Sequence, residues 1–451
     1  MRIDVISTPD LGDRSYVVSD DTAAIVIDPQ RDVDRVQEVL DRRGVPLVMV
    51  LETHVHNDYV TGGYALAQQT GATYVMSAAD ELAFDRKGVA DGDRLTAGGL
   101  EIDVVETPGH TATHLAYVVR DSADPEAPPA VFTGGSLLYG SVGRTDLLGE
   151  DVTDALTRAQ WRSARRLADT LPDAAPVYPT HGFGSFCSSG SASGGDESTI
   201  GTEKTRNDAL TEDDEQAFVD KLVAGLTGYP AYYAHMGALN EQGPAAPDLS
   251  PAKALDPQEL AGRIKAGEWV VDLRDRVAYA GRHLAGTVSI GGGDQFSTYV
   301  GWLIPWGAPV TLISQDPEDL ATAQRQLVRI GIERLAGAVA GSVDALASQV
   351  ETRSYRVADF TELAATPDAQ ILDVRRDDER RDGWIAGSAH IPLDQLIERL
   401  DDVADGTVWV HCASGYRASI AASILDRAGH PVVHINDEYE RAVQVGLTTQ
   451  P

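Results

Sequence analysis

Short apolar runs separated by turn residues fill the first part of the chain. Strands are predicted at Ile3 to Ser7, Ser15 to Ser19 and Ala23 to Asp28, followed by a helical stretch from Val33 to Arg43. Val45 to Leu51 is a continuous apolar run, the pattern of a strand buried on both faces. It delivers Thr53, His54, Val55, His56, Asn57, Asp58 and Tyr59. More strands are predicted at Thr73 to Met76, Ile102 to Glu106, His114 to Val119 and Ala130 to Thr133. Meandering strands with interposed helices imply a layered α+β domain that runs to about Phe186. Ser188 to Ser193, with Gly190, Gly194 and Gly195, reads as a flexible glycine- and serine-rich loop. Helical stretches such as Asp213 to Leu226 then lead to a proline- and glycine-rich linker at Gly243 to Pro251.

Beyond that linker the chain repeats itself. Trp269-Val270-Val271-Asp272-Leu273-Arg274-Asp275 matches Gln370-Ile371-Leu372-Asp373-Val374-Arg375-Arg376, and His283 to Thr287 matches Trp384 to Ser388. Each copy runs strand, charged loop, short strand, helix and buried strand, which implies a mainly parallel α/β sheet flanked by helices. The buried strand of the first copy, Val310 to Ile313, runs into Ser314-Gln315-Asp316-Pro317. With neither thiol nor arginine there, that copy reads as catalytically silent, supporting packing or gating substrate. Phe296, Tyr299, Trp302 and Trp306 follow Gly291-Gly292-Gly293 and cover either a domain interface or an ordinary core.

The second copy ends its buried strand on chemistry. Val408-Trp409-Val410-His411 is followed by Cys412-Ala413-Ser414-Gly415-Tyr416-Arg417, and a helix-forming stretch begins at once. Backbone N–H groups of the turn and the helix N-terminus should converge on the sulfur, with the Arg417 guanidinium nearby, a field that favours thiolate. A cysteine phosphatase needs a wider loop, with its arginine one position later, where Ala418 stands. The tighter loop suits one extra sulfur atom carried on Cys412. This segment resembles the rhodanese family of sulfurtransferases. The resemblance implies that Cys412 accepts sulfane sulfur from thiosulfate or a persulfide and passes it on, with Gly415 and Arg417 as catalytic partners.

Histidines crowd the strand ends of the first domain. His54 and His56 alternate with Asp58 after a buried strand, His110 lies in Thr107-Pro108-Gly109-His110-Thr111, and His181 in Pro179-Thr180-His181-Gly182. This pattern resembles the metallo-β-lactamase (αββα) fold, in the branch that holds glyoxalase II and the persulfide dioxygenases. Ser198-Thr199-Ile200-Gly201, Glu203-Lys204 and Asn240-Glu241-Gln242-Gly243-Pro244 look like the linker of persulfide dioxygenase–rhodanese fusions, so the resemblance runs end to end. It implies a metallo-β-lactamase-like domain over 1–243, a silent rhodanese-like domain over 252–350 and an active rhodanese domain over 355–451. It also implies oxidation of a thiol persulfide to sulfite with Fe(II), coupled to sulfur transfer through Cys412. The alternatives are a sulfurtransferase with a non-catalytic first domain, and a zinc-dependent thioester hydrolase.

Two departures bear on the metal. Tyr59 stands where the family has a second-metal histidine, and Gly135 follows Val131-Phe132-Thr133-Gly134 where the family carries a metal-binding aspartate. A mononuclear iron dioxygenase uses two histidines and one carboxylate. His54 and His110 fill the histidine places, and the carboxylate is missing. Either His56 turns inward to complete a three-histidine site, or Asp58 or Asp146 substitutes, or the domain is a scaffold. His181 is a further possible ligand. Cys187, just past His181, either relays a persulfide or senses oxidation, or simply fills a loop contact.

Composition narrows the partners. The 451-residue chain is 43% hydrophobic and 24% charged, with a net charge of −32, which excludes extended binding to nucleic acid or anionic membrane. The expected partners are a small-molecule persulfide, thiosulfate or sulfite, and a homo-oligomer is compatible with the chain. Met1 to Ile6 lacks the apolar core of a secretion signal, and the two cysteines, Cys187 and Cys412, build no disulfide framework. Both point to a cytoplasmic protein.

Overall fold

A computed structural model describes residues 1–190 and 196–449. Most of the loop predicted as flexible lies outside the described residues, from 191 to 195. The chain divides into two units, 1–248 with 328–331, and 249–327 with 332–451. Among the described residues no helix is long and apolar enough to cross a membrane.

Two six-stranded sheets build the first unit. The first runs in sequence order: β1 (Arg2–Thr8), β2 (Asp13–Ser19), β3 (Ala24–Ile27), β4 (Leu47–Leu51), β5 (Thr73–Ser77) and β6 (Lys87–Val89). β1 to β3 pair antiparallel and β3 to β6 parallel. The second sheet holds β7 (Arg94–Ala97), β8 (Leu100–Glu106), β9 (Leu115–Asp121), β10 (Ala130–Gly134), β11 (Pro176–Pro179) and β12 (Ser198–Thr199), also in sequence order. Only β10 and β11 pair parallel there.

Alternation decides what each face meets. Tyr16, Val18, Ile25, Ile27, Leu51 and Val75 of the first sheet pack against Ile102, Val104, Leu115, Tyr117, Val119 and Phe132 of the second. Helices cover both outer faces. Asp34–Arg43 presents Val36, Val39 and Leu40 to the first sheet, at the spacing of one helix face. Glu150–Thr170 lays Ala164, Leu167 and Ala168 on the second. Fully burying a side chain such as Leu167 contributes about 2 kcal/mol. The result is the αββα sandwich expected from sequence.

The second unit holds two parallel sheets of one plan. In the first, β13 (Trp269–Asp272), β14 (Val288–Ser289), β15 (Val310–Ser314) and β16 (Gly337–Ala340) are ordered β14-β13-β15-β16. In the second, β17 (Arg356–Ala358), β18 (Gln370–Asp373), β19 (Ala389–His390), β20 (Val408–His411) and β21 (Val432–Ile435) are ordered β17-β21-β20-β18-β19. The repeat extends to side chains. Arg274 forks onto Asp272 at 2.7–3.1 Å, and Arg375 forks onto Asp373 at 2.8–3.2 Å. Where β20 leads into Cys412, β15 ends on Ser314, whose hydroxyl donates to Asp319.

Candidate functional site

The loops after β3, β4, β8, β10 and β11 carry Asp28, the His54–Asp58 run, His110, Gly135 and His181. Among them Asp28, His54, His56, Asp58, His110 and His181 offer side chains that could hold a metal. Asp28 is the only residue besides glycine with a positive φ among those described, at 49°. Such a conformation persists where surroundings hold it. Here the carboxylate accepts the Thr53 N–H at 2.7 Å, the Thr53 hydroxyl at 2.7 Å and the Thr180 hydroxyl.

Hydrogen bonds fix the tautomers of three histidines. His110 Nδ1–H donates to the Arg144 carbonyl at 2.7 Å, and His181 Nδ1–H to Asp13 at 2.9 Å. The Thr53 hydroxyl gives its proton to Asp28, so it accepts from His54 Nδ1–H at 2.8 Å. Each Nε2 is thereby left free to bind, and the ligand atoms of His54, His110 and His181 lie within 4.8 Å of one another. His54 Nε2 and His181 Nε2 are 3.3 Å apart, and His110 Nε2 is buried without a hydrogen-bond partner. Two lone pairs at that distance repel unless a proton or a cation stands between them. Against the pull of burial, Asp58 and Asp13 raise His181 well above the ordinary histidine range. Burial, reinforced by neighbouring histidines, lowers His54 and takes His110 down to about 3. His54 and His110 are neutral, and a divalent cation that displaces the proton held on His181 by Asp58 and Asp13 would meet three Nε2 atoms on oxygen-anchored rings.

Of the alternatives the sequence leaves open, an inward His56 does not complete this trio; His181 does, and His56 groups instead with Asp58 and His181, or with Asp28 and Glu52. His56 Nε2 faces Glu52 at 3.1 Å, Asp28 at 3.3 Å and the Tyr59 hydroxyl at 2.9 Å. Against burial, Asp28 and Glu52 hold His56 up at about 9. Burial lifts Glu52 to about 7. Asp58 lies 3.2 Å from His181 Nδ1, on the far side of that ring from the shared Nε2 point. Asp146 is gripped by Arg144 through two contacts of 2.7 Å and joins none of the possible metal-binding groups among the described residues.

Gly135 explains why no carboxylate stands beside His110. A Cβ on Gly135 would lie 2.3 Å from His110 Cδ2 and 2.6 Å from its Cγ, so the imidazole occupies the space of the missing side chain. His114 stacks on His54 at 4.9 Å, but its Nε2 accepts the Gly135 N–H and its Nδ1 engages Thr107, so it supports the site without joining it. Cys187 is fully buried, 4.0 Å from the Tyr233 hydroxyl. Burial, then Asp58 and Asp13, push its thiol well above the ordinary range, opposite to what a reactive thiolate needs.

At the second site, Cys412 Sγ accepts the N–H of Gly415 at 3.2 Å and of Ala418 at 3.3 Å. Gly415 sits at φ 86°, and a Cβ there would meet Asn436 Oδ1 at 2.6 Å. Only glycine fits both demands. His434 Nε2–H braces the loop by donating to the Gly415 carbonyl at 2.9 Å. Arg417 is close enough to Cys412 to interact with its charge, and both of its terminal nitrogens bind Glu379 at 2.6 Å, so the guanidinium is also engaged by a carboxylate.

The comparisons with known proteins agree with this architecture. Residues 10–181 match the metallo-beta-lactamase superfamily, and residues 357–441 match the rhodanese-like domain. The chain joins a metallo-beta-lactamase domain to a rhodanese-like domain. A hydroxyacylglutathione hydrolase of Synechococcus sp. (strain WH7803) is 33% identical over 172 residues, 37% of this chain and 64% of that protein. The chain therefore spans less than two thirds of that relative. A probable polyketide biosynthesis zinc-dependent hydrolase of Bacillus velezensis is 28% identical over 176 residues, 38% of this chain and 72% of its own length. A crystal structure of a metallo-beta-lactamase from Staphylococcus aureus is 26% identical with a TM-score of 0.67, covering 75% of this chain and 99% of that one.

Sequence reading had missed Asp13, Asp28, Glu52 and Glu379. Asp28 and Glu52 each directly follow a buried strand, the same signal that exposed His54, and Glu379 lies in the short helix Asp377–Arg381, in the charged stretch that the repeat reads as a loop.

Proposed function

We propose that this protein transfers sulfane sulfur through Cys412, and that its metallo-beta-lactamase domain binds a divalent metal on His54, His110 and His181 and turns over a thiol-linked small molecule. The observation that carries the reading is the pair of backbone N–H groups, from Gly415 and Ala418, aimed at one sulfur atom. They are placed to stabilise negative charge on that sulfur or on a sulfur bound to it. Oxidation of a persulfide to sulfite in the first domain makes the pairing useful, because sulfite accepts sulfur held on Cys412. Bound at the three histidines, a metal supplies Lewis acidity. The chain's own contribution is to orient the rings through Thr53, Asp13 and the Arg144 carbonyl.

A second reading for the first domain is zinc-dependent thioester hydrolysis. It is favoured by the trio of His54, His110 and His181, which suits zinc, whereas the overlapping group of His56, Asp58 and His181 is a two-histidine, one-carboxylate set of the kind iron takes.

Transfer of sulfur from a small hydropersulfide to cyanide, measured in wild type and Cys412→Ser, tests the first part. Loss to background in the variant supports it, and retained transfer overturns it. Oxygen uptake with a hydropersulfide, set against thiol release from a thioester, decides between the two chemistries of the first domain.

A further inference from the structure

A cleft opens beside the Cys412 loop, within the second unit. Tyr299, Trp302 and Leu303, from helix Phe296–Leu303 of the silent copy, form one wall, and Val374, Arg376 and Arg417 of the active copy form the other. The rings of Tyr299 and Trp302 stack with centroids 6.1 Å apart and planes 16° apart. Tyr299 also lies 5.6 Å from the ring of Tyr416, whose hydroxyl donates to the Gly291 carbonyl at 2.9 Å. Both wall aromatics are half-buried, so they are held in place yet reachable. Burial pushes the Tyr299 hydroxyl up to about 12, which keeps it a neutral donor.

The cations of this cleft are already engaged. Glu379 takes both terminal nitrogens of Arg417 at 2.6 Å, and Asp378 takes two nitrogens of Arg376 at 3.0 Å. Asp394 lines the cleft as well. Two guanidinium charges are thus matched by carboxylates before any ligand arrives. An entering dianion must compete with a bidentate carboxylate on Arg417, and pairs of that geometry are the strong kind. A donor with an apolar body avoids that competition and gains contact with the stacked rings.

The geometry points to Glu379, Tyr299 and Trp302 as the specificity determinants of Cys412, selecting an organic hydropersulfide with an apolar or flat body over thiosulfate. This assignment rests on the sulfur-transfer reading of Cys412. In the transfer, the Cys412 thiolate attacks the terminal sulfur of R–S–SH. The donor S–S bond breaks as the new S–S bond to Sγ forms, and R–S⁻ departs with the electron pair of the broken bond. Cys412 is left as Cys–S–SH, and the leaving thiolate takes its proton from water. No oxidant enters, because the transferred sulfur keeps its oxidation state.

The test is single-turnover loading of Cys412 in the full-length protein, followed by intact mass. The donors are phenylmethyl hydropersulfide and thiosulfate at equal concentration. The organic donor is expected to load about tenfold faster or more, and any smaller ratio overturns the assignment. Glu379→Gln keeps a side chain able to cap its helix and removes the charge held on Arg417. Thiosulfate loading should then rise by about fivefold or more; an unchanged rate removes Glu379 from the assignment. Trp302→Ala should slow the phenylmethyl donor by about fivefold and leave thiosulfate loading unchanged. Equal slowing of both donors reduces Trp302 to packing and removes it from the assignment. Fast loading by thiosulfate overturns only the specificity, whereas no loading by either donor overturns sulfur transfer itself.

Discussion

An alanine or aspartate at position 135 separates two accounts of the metal site. By family resemblance, Gly135→Asp restores a missing ligand. By the geometry, any side chain there collides with His110. The added Cβ would sit 2.3 Å from His110 Cδ2, where ordinary contact begins at 3.4 Å, so the ring must retreat by about 1 Å. Retreat breaks the 2.7 Å hydrogen bond from His110 Nδ1–H to the Arg144 carbonyl. Overpacking costs about 1–3 kcal/mol and the lost hydrogen bond about 1 kcal/mol, so the first unit should lose about 2–4 kcal/mol. The His110 Nε2 leaves the point it shares with His54 and His181. Elemental analysis of protein purified without added metal, with titration of zinc and of Fe(II), reads the outcome. Both variants should bind metal at least about tenfold more weakly than wild type. Undiminished affinity in Gly135→Ala would show that His110 does not need that space.

Three further outcomes follow from the same geometry. Asp13→Ala removes the nearer of the two carboxylates that face His181 Nδ1, so metal affinity should fall by about tenfold; unchanged zinc titration would show that Asp13 does not position the ring. Gly415→Ala forces a left-handed backbone on alanine and a 2.6 Å approach to Asn436, so sulfur transfer should collapse while the metallo-beta-lactamase domain still binds metal; wild-type transfer would discount the cradle. Burial lowers His411 and His434 to about 4 each, from an ordinary 6.5. Depressed folded values mean that the unfolded chain takes up these protons first. Their contribution is fully present above pH 6.5 and is lost as pH falls toward 4, at about 3 kcal/mol per ring. Denaturant unfolding between pH 7 and 4.5 should show a shallower decline for His411→Gln than for wild type, and equal slopes would contradict this.

Local pattern revealed what local pattern governs. β4 and β20 were legible as continuous apolar runs, because parallel strands buried on both faces need them. The repeat was legible because Asp272–Arg274 and Asp373–Arg375 serve the same fork in both copies. Ser198–Thr199 and Lys87–Val89 were not, being too short to carry a period. At the metal site the histidines were visible, but their choice was not. Whether His56 or His181 joins His54 and His110 depends on carboxylates brought from β2, β3 and β4, which no spacing along one segment encodes. The Arg417–Glu379 pair escaped notice for the same reason, since it joins positions 38 residues apart.

Sulfur transfer through Cys412 is read in the mass of two peptides. After brief exposure of the whole protein to a hydropersulfide and proteolysis under non-reducing conditions, the peptide holding Cys412 should carry one additional sulfur atom and the peptide holding Cys187 none. An unmodified Cys412, or sulfur found on Cys187 instead, would contradict it.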